Sequence, residues 1–259
     1  AFVTTSFQAH LAYRGQVWTS VFGNLVQVFA NIAIWMSIYA GVSVASGVSI
    51  DEMIAYAIFG ALLLSAWDWR RFIRVVGDQV RTGDVAVFLL KPLSYPLMLL
   101  AAECGNVGFR LIAIIAPVSI AAALVYGMSP PASVFHGAMS LLFVVLAFAI
   151  LFLLATVAAL TAFWVMTVFA VEWLLHAFVL ILSGAVVPLW FYPPAAAAII
   201  EKLPFAFTAY HPRAVYLGKE DVATTLVNAA VGCLWVLVLT LLLAWLWSRA
   251  RQRIIVQGG

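Results

Sequence analysis

The stretch FHGAMSLLFVVLAFAILFLLATVAAL, residues 135–160, decides the fold. It contains no Asp, Glu, Lys or Arg. A helix that crosses a bilayer needs about 20 mostly apolar residues, so Phe135 to Leu160 predicts one full crossing. A helix that is apolar on every side offers no surface to water and must lie in a core or in lipid.

Composition extends that reading to the whole chain. Of 259 residues, 66% are apolar and 9% charged, against roughly a quarter charged in an average soluble domain. No water-soluble surface can be built from that inventory. Further apolar runs flank the first, and six spans are expected, at residues 17–44, 53–76, 105–126, 135–160, 163–186 and 222–247. They make residues 1–259 a single transmembrane domain of all-α class. Pro117 is expected to kink the third span, because it lacks an N–H and clashes with the preceding turn. The turn around Thr161 leaves almost no connector between spans four and five. Asn24, Gln27 and Asn31 share one face of the first span and suit hydrogen bonding between helices.

Basic residues favour cytoplasmic loops and set the orientation. With six spans both termini lie on one side, with Arg14, the cluster from Arg70 to Lys91, and Arg249, Arg251 and Arg253. The other side holds Lys202, Arg213 and Lys219. Nine basic residues against three put both termini in the cytoplasm. Ahead of the first span, Phe2, Phe7 and Leu11 alternate with polar residues up to Arg14, which suits a short helix lying in the headgroup plane. Ala1 to Arg14 is not a basic segment followed by an apolar one, so no cleavable signal peptide is expected there.

Three segments stand out. The charged loop after span two carries Asp68, Arg70, Arg71, Arg74, Asp78, Arg81, Asp84 and Lys91, and is broken by Gly77, Gly83, Pro92 and Pro96. It reads either as a solvated loop with an interfacial helix or as a docking surface for a cytoplasmic partner. The segment Pro188 to Asp221 is apolar yet carries Pro188, Pro193, Pro194, Pro204 and Pro212. Short helices that dip into the membrane and return fit it, since irregular backbone is tolerated there only against protein or water. Glu172 and His176 lie four residues apart inside span five, on one helix face. They suit a proton relay or substrate contact, or equally a paired structural lock. Glu103 and Arg110, seven apart, suit a snorkelling pair.

Several classes of chemistry leave no trace. No GxxxxGK[ST] phosphate loop occurs, so the chain is not expected to be its own ATPase. Cys104 and Cys233 form no CxxC pair, so no metal site or disulfide framework is suggested. No HExxH or GxSxG is present, and nothing suggests nucleic-acid binding.

The order of these features resembles the ABC-2 type of ABC exporter permease. Arg81-Thr-Gly-Asp-Val-Ala-Val-Phe-Leu-Leu-Lys-Pro-Leu is similar to that family's signature after span two. Ala162-Phe-Trp164 resembles the aromatic motif that opens span five. Leu203-Pro-Phe-Ala-Phe-Thr-Ala-Tyr-His-Pro212 resembles the pattern before span six. Together they are closest to the small ABC-2 permeases once grouped as a domain of unknown function, and the likeness covers nearly the whole chain.

The resemblance implies a multi-pass efflux permease in the plasma membrane of a prokaryote. A second permease chain, identical or homologous, would complete the pathway among membrane lipids. Separate cytoplasmic ATP-binding subunits would carry ATP and Mg, with no cofactor on this chain. A coupling helix carrying Arg70, Arg71, Arg74, Arg81, Asp84 and Lys91 would meet the ATPase. Extracytoplasmic re-entrant helices with Pro188, Pro204, Phe205, Tyr210 and Pro212 would gate the pathway. Glu172, His176, Glu103, Asn24 and Asn31 are the polar residues expected within the spans. The alternative is a proton-coupled secondary transporter using Glu172 and His176, with Glu103. It predicts symmetry-related halves with broken helices, and no internal repeat is found. An intramembrane enzyme would need a nucleophile–base pair, and none is legible.

Overall fold

Ser49 begins a long helix with a reciprocal cap. The Ser49 side chain accepts from the Glu52 backbone N–H, and the Glu52 carboxylate accepts from the Ser49 N–H at 2.8 Å. Two backbone donors that the first turn would leave without partners are thereby satisfied. The apolar run that follows, ending at Ser65, is helix α2 in a nearly all-helical chain.

The computed structural model describes residues 14–41, 44–45, 47–89, 94–127, 129–165 and 167–257. Helix α1 (Arg14–Ile38) leads to a two-residue antiparallel ladder, β1 (Val44–Ala45) with β2 (Val48–Ser49). Then come α2 (Ile50–Ser65), α3 (Trp69–Thr82) and α4 (Val85–Leu89). Helix α5 (Tyr95–Arg110) runs through a π-helical turn, Leu111–Ile115, into α6 (Ala116–Tyr126). Helix α7 (Val134–Leu160) ends in a 3-10 turn, Thr161–Phe163, before α8 (Phe169–Leu182). A 3-10 turn at Leu189–Phe191, α9 (Pro194–Ile200), α10 (Pro204–Tyr216) and α11 (Val222–Gln257) complete the chain. The interfacial helix expected ahead of Arg14 lies outside the described residues, and so does Lys91.

Five helical stretches among the described residues are long and apolar enough to cross a membrane: Val17–Ile38, Ile50–Thr82, Tyr95–Tyr126, Val134–Phe163 and Val222–Arg253. Their surfaces are those of a lipid-solvated protein, with Leu124 82% and Val134 91% exposed. Where a fifth of six spans was expected, at 163–186, α8 has 14 residues. At 1.5 Å per residue it is about 21 Å long, shorter than the roughly 30 Å hydrocarbon layer.

The fold groups into two compact units. One comprises residues up to Trp67, Leu99–Ser140 and Arg213–Lys219. Here α1 packs on α2 and α6, and Phe29 meets Tyr126 with ring centroids 5.6 Å apart. Lys219 Nζ pairs with Glu52 at 2.7 Å and donates to Gly47 O at 3.1 Å. The buried Arg213 guanidinium lies 3.8 Å from the centroid of the Tyr56 ring. Gly60 makes room for it, since a Cβ at Gly60 would collide with an Arg213 guanidinium nitrogen. Pro117 sits immediately after the π turn. A proline in regular α-helix blocks the bond back to residue i−4, and a π turn is one of the helix irregularities that accompany such a break.

The second unit comprises Asp68–Met98, Leu141–Pro212 and the residues from Glu220 onward. Its α3 is amphipathic: Trp69, Phe72, Ile73, Val76 and Gly77 are buried, while Arg71, Arg74, Asp78 and Arg81 are exposed. The spacing i, i+3, i+4, i+7, i+8 puts the apolar residues on one stripe. The Asp68 carboxylate caps α3 by accepting from Arg71 N–H at 3.2 Å. Gly83 ends it at φ +82°, in the left-handed region that glycine tolerates. Gly77, expected as a break, lies inside the helix. Tyr95 OH donates to Gln79 Oε1 at 2.7 Å and its ring stacks on Trp247. Asp221 caps α11, and its hydrogen bonds from Thr224 hold its carboxyl below the ordinary range.

Candidate functional site

The buried centre of the second unit's charge pattern is Glu172, in the first turn of α8. Carboxylates are favoured at that end of a helix by the backbone dipole. Its real partners come from α3. Arg70 Nε donates to Oε1 at 2.8 Å, and Arg74 Nη1 donates to Oε1 at 3.0 Å and to Oε2 at 3.3 Å. Arg70 and Arg74 are one turn apart, so one carboxylate holds both. The Arg70 guanidinium also lies 4.9 Å from the centroid of the Trp173 ring. Two guanidinium groups on one carboxylate leave a local excess of one positive charge.

His176 follows Glu172 by one turn but is not its partner. Its ring lies 6.0 Å from the Trp69 ring and 5.9 Å from the Trp173 ring, and its buried Nδ1 has no hydrogen-bond partner among the described residues. The expected Glu172–His176 lock is therefore replaced by a lock between α3 and α8.

Beside that ion pair, α3 and the α7–α8 connection enclose a cleft of about 240 Å³ lined by Arg74, Gly77, Asp78 and Arg81 on one wall and Val165 and Val168 on the other. Gly77 sets its depth, because Val168 approaches the Gly77 backbone too closely to admit a side chain. Arg81 pairs with Asp78 at 3.2 Å on the exposed side. Asp84 accepts from Thr82 Oγ1 at 2.7 Å. Arg71 points outward, leaving Arg71 and Arg81 as the cations of α3 exposed and unattached to Glu172. The arrangement is chemically an anchor that holds one side of α3 and leaves a charged outer face.

The other expected polar residues separate. Glu103 accepts from Trp67 Nε1 at 2.6 Å and from Asn106 Nδ2 at 3.0 Å. Arg110 Nε donates to Ser65 O at 2.9 Å. The expected snorkelling pair is thus divided between different partners. Asn24 Nδ2 donates to Ser20 O within its own helix at 2.7 Å, and Asn31 is half-buried on the same helix.

In the Pro-rich segment, Pro188 precedes the 3-10 turn, Pro204 opens α10 and Pro212 lies inside it. The Phe205 ring meets Phe178 at 5.5 Å, and Tyr210 meets Trp190 at 5.7 Å. Sequence reasoning missed the polar residues behind these. Buried His211 contacts Glu220 and the carbonyl of Glu201, and Asn228 joins Glu220 to Lys202. The one signal for them was the His between Tyr210 and Pro212, quoted as part of a motif but given no role.

No curated protein matches the chain. The family model described as ABC-2 family transporter protein matches residues 25–258. That match spans α2 to α11 and most of α1. The chain belongs to the ABC-2 family of transporter proteins, as a multi-pass membrane permease.

Proposed function

We propose that this permease is one half of an ATP-driven exporter and takes its energy from a separate cytoplasmic ATPase docked on α3. The supporting observation is the double ion pair of Arg70 and Arg74 with buried Glu172. It fastens an amphipathic helix with an exposed charged face to the start of an apolar helix. A push on the outer face of α3 is then carried to α8 by a short, charge-assisted connection. Arg71, Arg81, Asp84 and Lys91 are the residues assigned to the docking face, while Arg70 and Arg74 are assigned to transmission.

The reading includes a single domain with six crossings, the fifth formed by α8 with the turns that flank it. Both termini face the cytoplasm of a prokaryotic cell, as the distribution of basic residues supports. A second permease chain completes the pathway in the plasma membrane. The ATPase subunits hold ATP and Mg, and α9 and α10 form the re-entrant outer gate. ATP binding drives alternation only if it stabilises one state of the pair more than the other. The proton-coupled alternative loses support from the partners of Glu172, which two arginines hold in place of His176.

Affinity purification of the intact complex, followed by an ATPase assay, tests the proposal. The expected result is a nucleotide-binding subunit bound to this chain and ATP turnover in the complex. A lone chain that accumulates or expels substrate on a proton gradient, without ATP, would overturn it.

A further inference from the structure

His211 is wholly buried, and both of its ring nitrogens face hydrogen-bond acceptors. Nδ1 lies 2.8 Å from Glu220 Oε1, and Nε2 lies 2.9 Å from the backbone oxygen of Glu201. A backbone carbonyl can only accept, and an ionised carboxylate can only accept. A neutral imidazole carries one N–H. With Glu220 ionised, either neutral tautomer would press a nitrogen lone pair against an oxygen lone pair, which is costly at a wholly buried ring.

Two arrangements satisfy every atom. In one, His211 carries both ring protons and Glu220 is ionised. In the other, Glu220 is protonated and donates to Nδ1 while Nε2–H donates to Glu201. Both place one more proton on the pair than a neutral ring beside a carboxylate would hold, and both leave the pair with no net charge. We propose that His211 and Glu220 form a buried proton-binding site, whose single shared proton fastens α10 to the connection that leads into the last helix.

The surroundings fit that role. Glu220 Oε2 accepts from Asn228 Nδ2 at 2.8 Å, and Asn228 Oδ1 accepts from Lys202 Nζ at 2.7 Å. The Glu201 carboxylate accepts from Tyr210 OH at 3.4 Å. The Phe143 and Phe207 rings lie alongside His211, 5.6 Å and 4.4 Å from it by centroid, and bring no charge. The pair thus ties the α9–α10 turn and α10 to the connection ahead of α11, and Asn228 carries the tie into α11. Without that proton two acceptors would face each other across the pair, and the tie would open. This inference does not depend on how transport is powered.

The test uses the full chain in phospholipid nanodiscs with ¹⁵N-histidine. The chain has four histidines, so replacing His10, His136 and His176 leaves the His211 ring as the one signal. At neutral pH the expected spectrum is either a doubly protonated ring, or a ring protonated at Nε2 with an infrared band from a protonated Glu220 carboxyl. Backbone hydrogen exchange between residues 201 and 228 should rise in step with loss of that proton at alkaline pH. In Glu220→Gln the ring should revert to one N–H. A neutral ring beside an ionised Glu220 at neutral pH overturns the proposal. So does a second ring proton that persists in Glu220→Gln, or hydrogen exchange unchanged by the titration.

Discussion

A Cβ placed on Gly77 would stand 2.7 Å from Cγ2 of Val168, closer than real side chains approach. The residue that reads in sequence as an interruption is therefore a point where the α3 backbone packs tightly against the residue that opens α8. Substitution there separates helix propensity from packing. Alanine gains about 1 kcal/mol over glycine inside a helix, while overpacking costs about 1–3 kcal/mol. Gly77→Ala is expected to lower the thermal midpoint slightly and Gly77→Leu to lower it strongly. Val168→Ala should restore the Gly77→Ala variant. A higher midpoint for Gly77→Ala with Val168 intact would refute the contact.

Glu172 is the second target. Breaking a buried ion pair costs about 3–5 kcal/mol. Arg70 and Arg74 keep 31% and 51% of their side-chain surface exposed, so water screens the unpaired cations. Glu172→Gln is thus expected to cost about 1–3 kcal/mol. Limited proteolysis should show α3 cut faster in that variant. Protection equal to that of the natural chain would mean that the ion pair does not hold the helix down.

Arg81 and Arg74 separate docking from transmission. The Arg81–Asp78 pair is exposed on both sides, and such pairs are worth about 0–1 kcal/mol. Arg81→Glu should therefore leave the melting curve of the isolated chain in place, yet weaken capture of the ATPase subunit. Arg74→Glu should disturb the chain itself, because a second carboxylate would face Glu172. Identical behaviour of the two variants in both assays would contradict the division of roles.

Gly60 and Arg213 offer a fourth test, in the other unit. The first methyl group added at Gly60 meets the Arg213 guanidinium. Gly60→Ala must push a buried cation off the Tyr56 ring, at a cost of about 2–4 kcal/mol. Replacing the buried cation with an apolar side chain of similar length removes the conflict. The double variant Gly60→Ala with Arg213→Met is expected to melt higher than Gly60→Ala alone, and thermal unfolding in detergent reads the difference.

The spans were legible because the bilayer imposes one rule on every residue in them. Phe135 to Leu160 and Val222 to Trp247 needed only their apolar runs. The α3 pattern of Trp69, Phe72, Ile73, Val76 and Gly77 was also present in the sequence, but charge density and two glycines disguised it as a loop. Partners far apart in the chain were not legible. Nothing in local spacing joins Arg70 to Glu172, 102 residues away, or sends Glu103 to Trp67 in preference to Arg110. His211 and Glu220 lie only nine residues apart. The turn that follows α10 hides the pairing, since helical spacing rules end where the helix does.

The π turn at Leu111–Ile115 affects how this permease is mapped by mutation. One extra residue in a helical turn advances everything after it by about 100° around the axis. A single helical wheel drawn from Leu99 to Tyr126 therefore assigns the wrong side to every position beyond Ile115 or to every position before Leu111. Cysteine scanning across this helix should show two stripes of accessibility out of phase by roughly a quarter turn, with the offset at the turn ahead of Pro117.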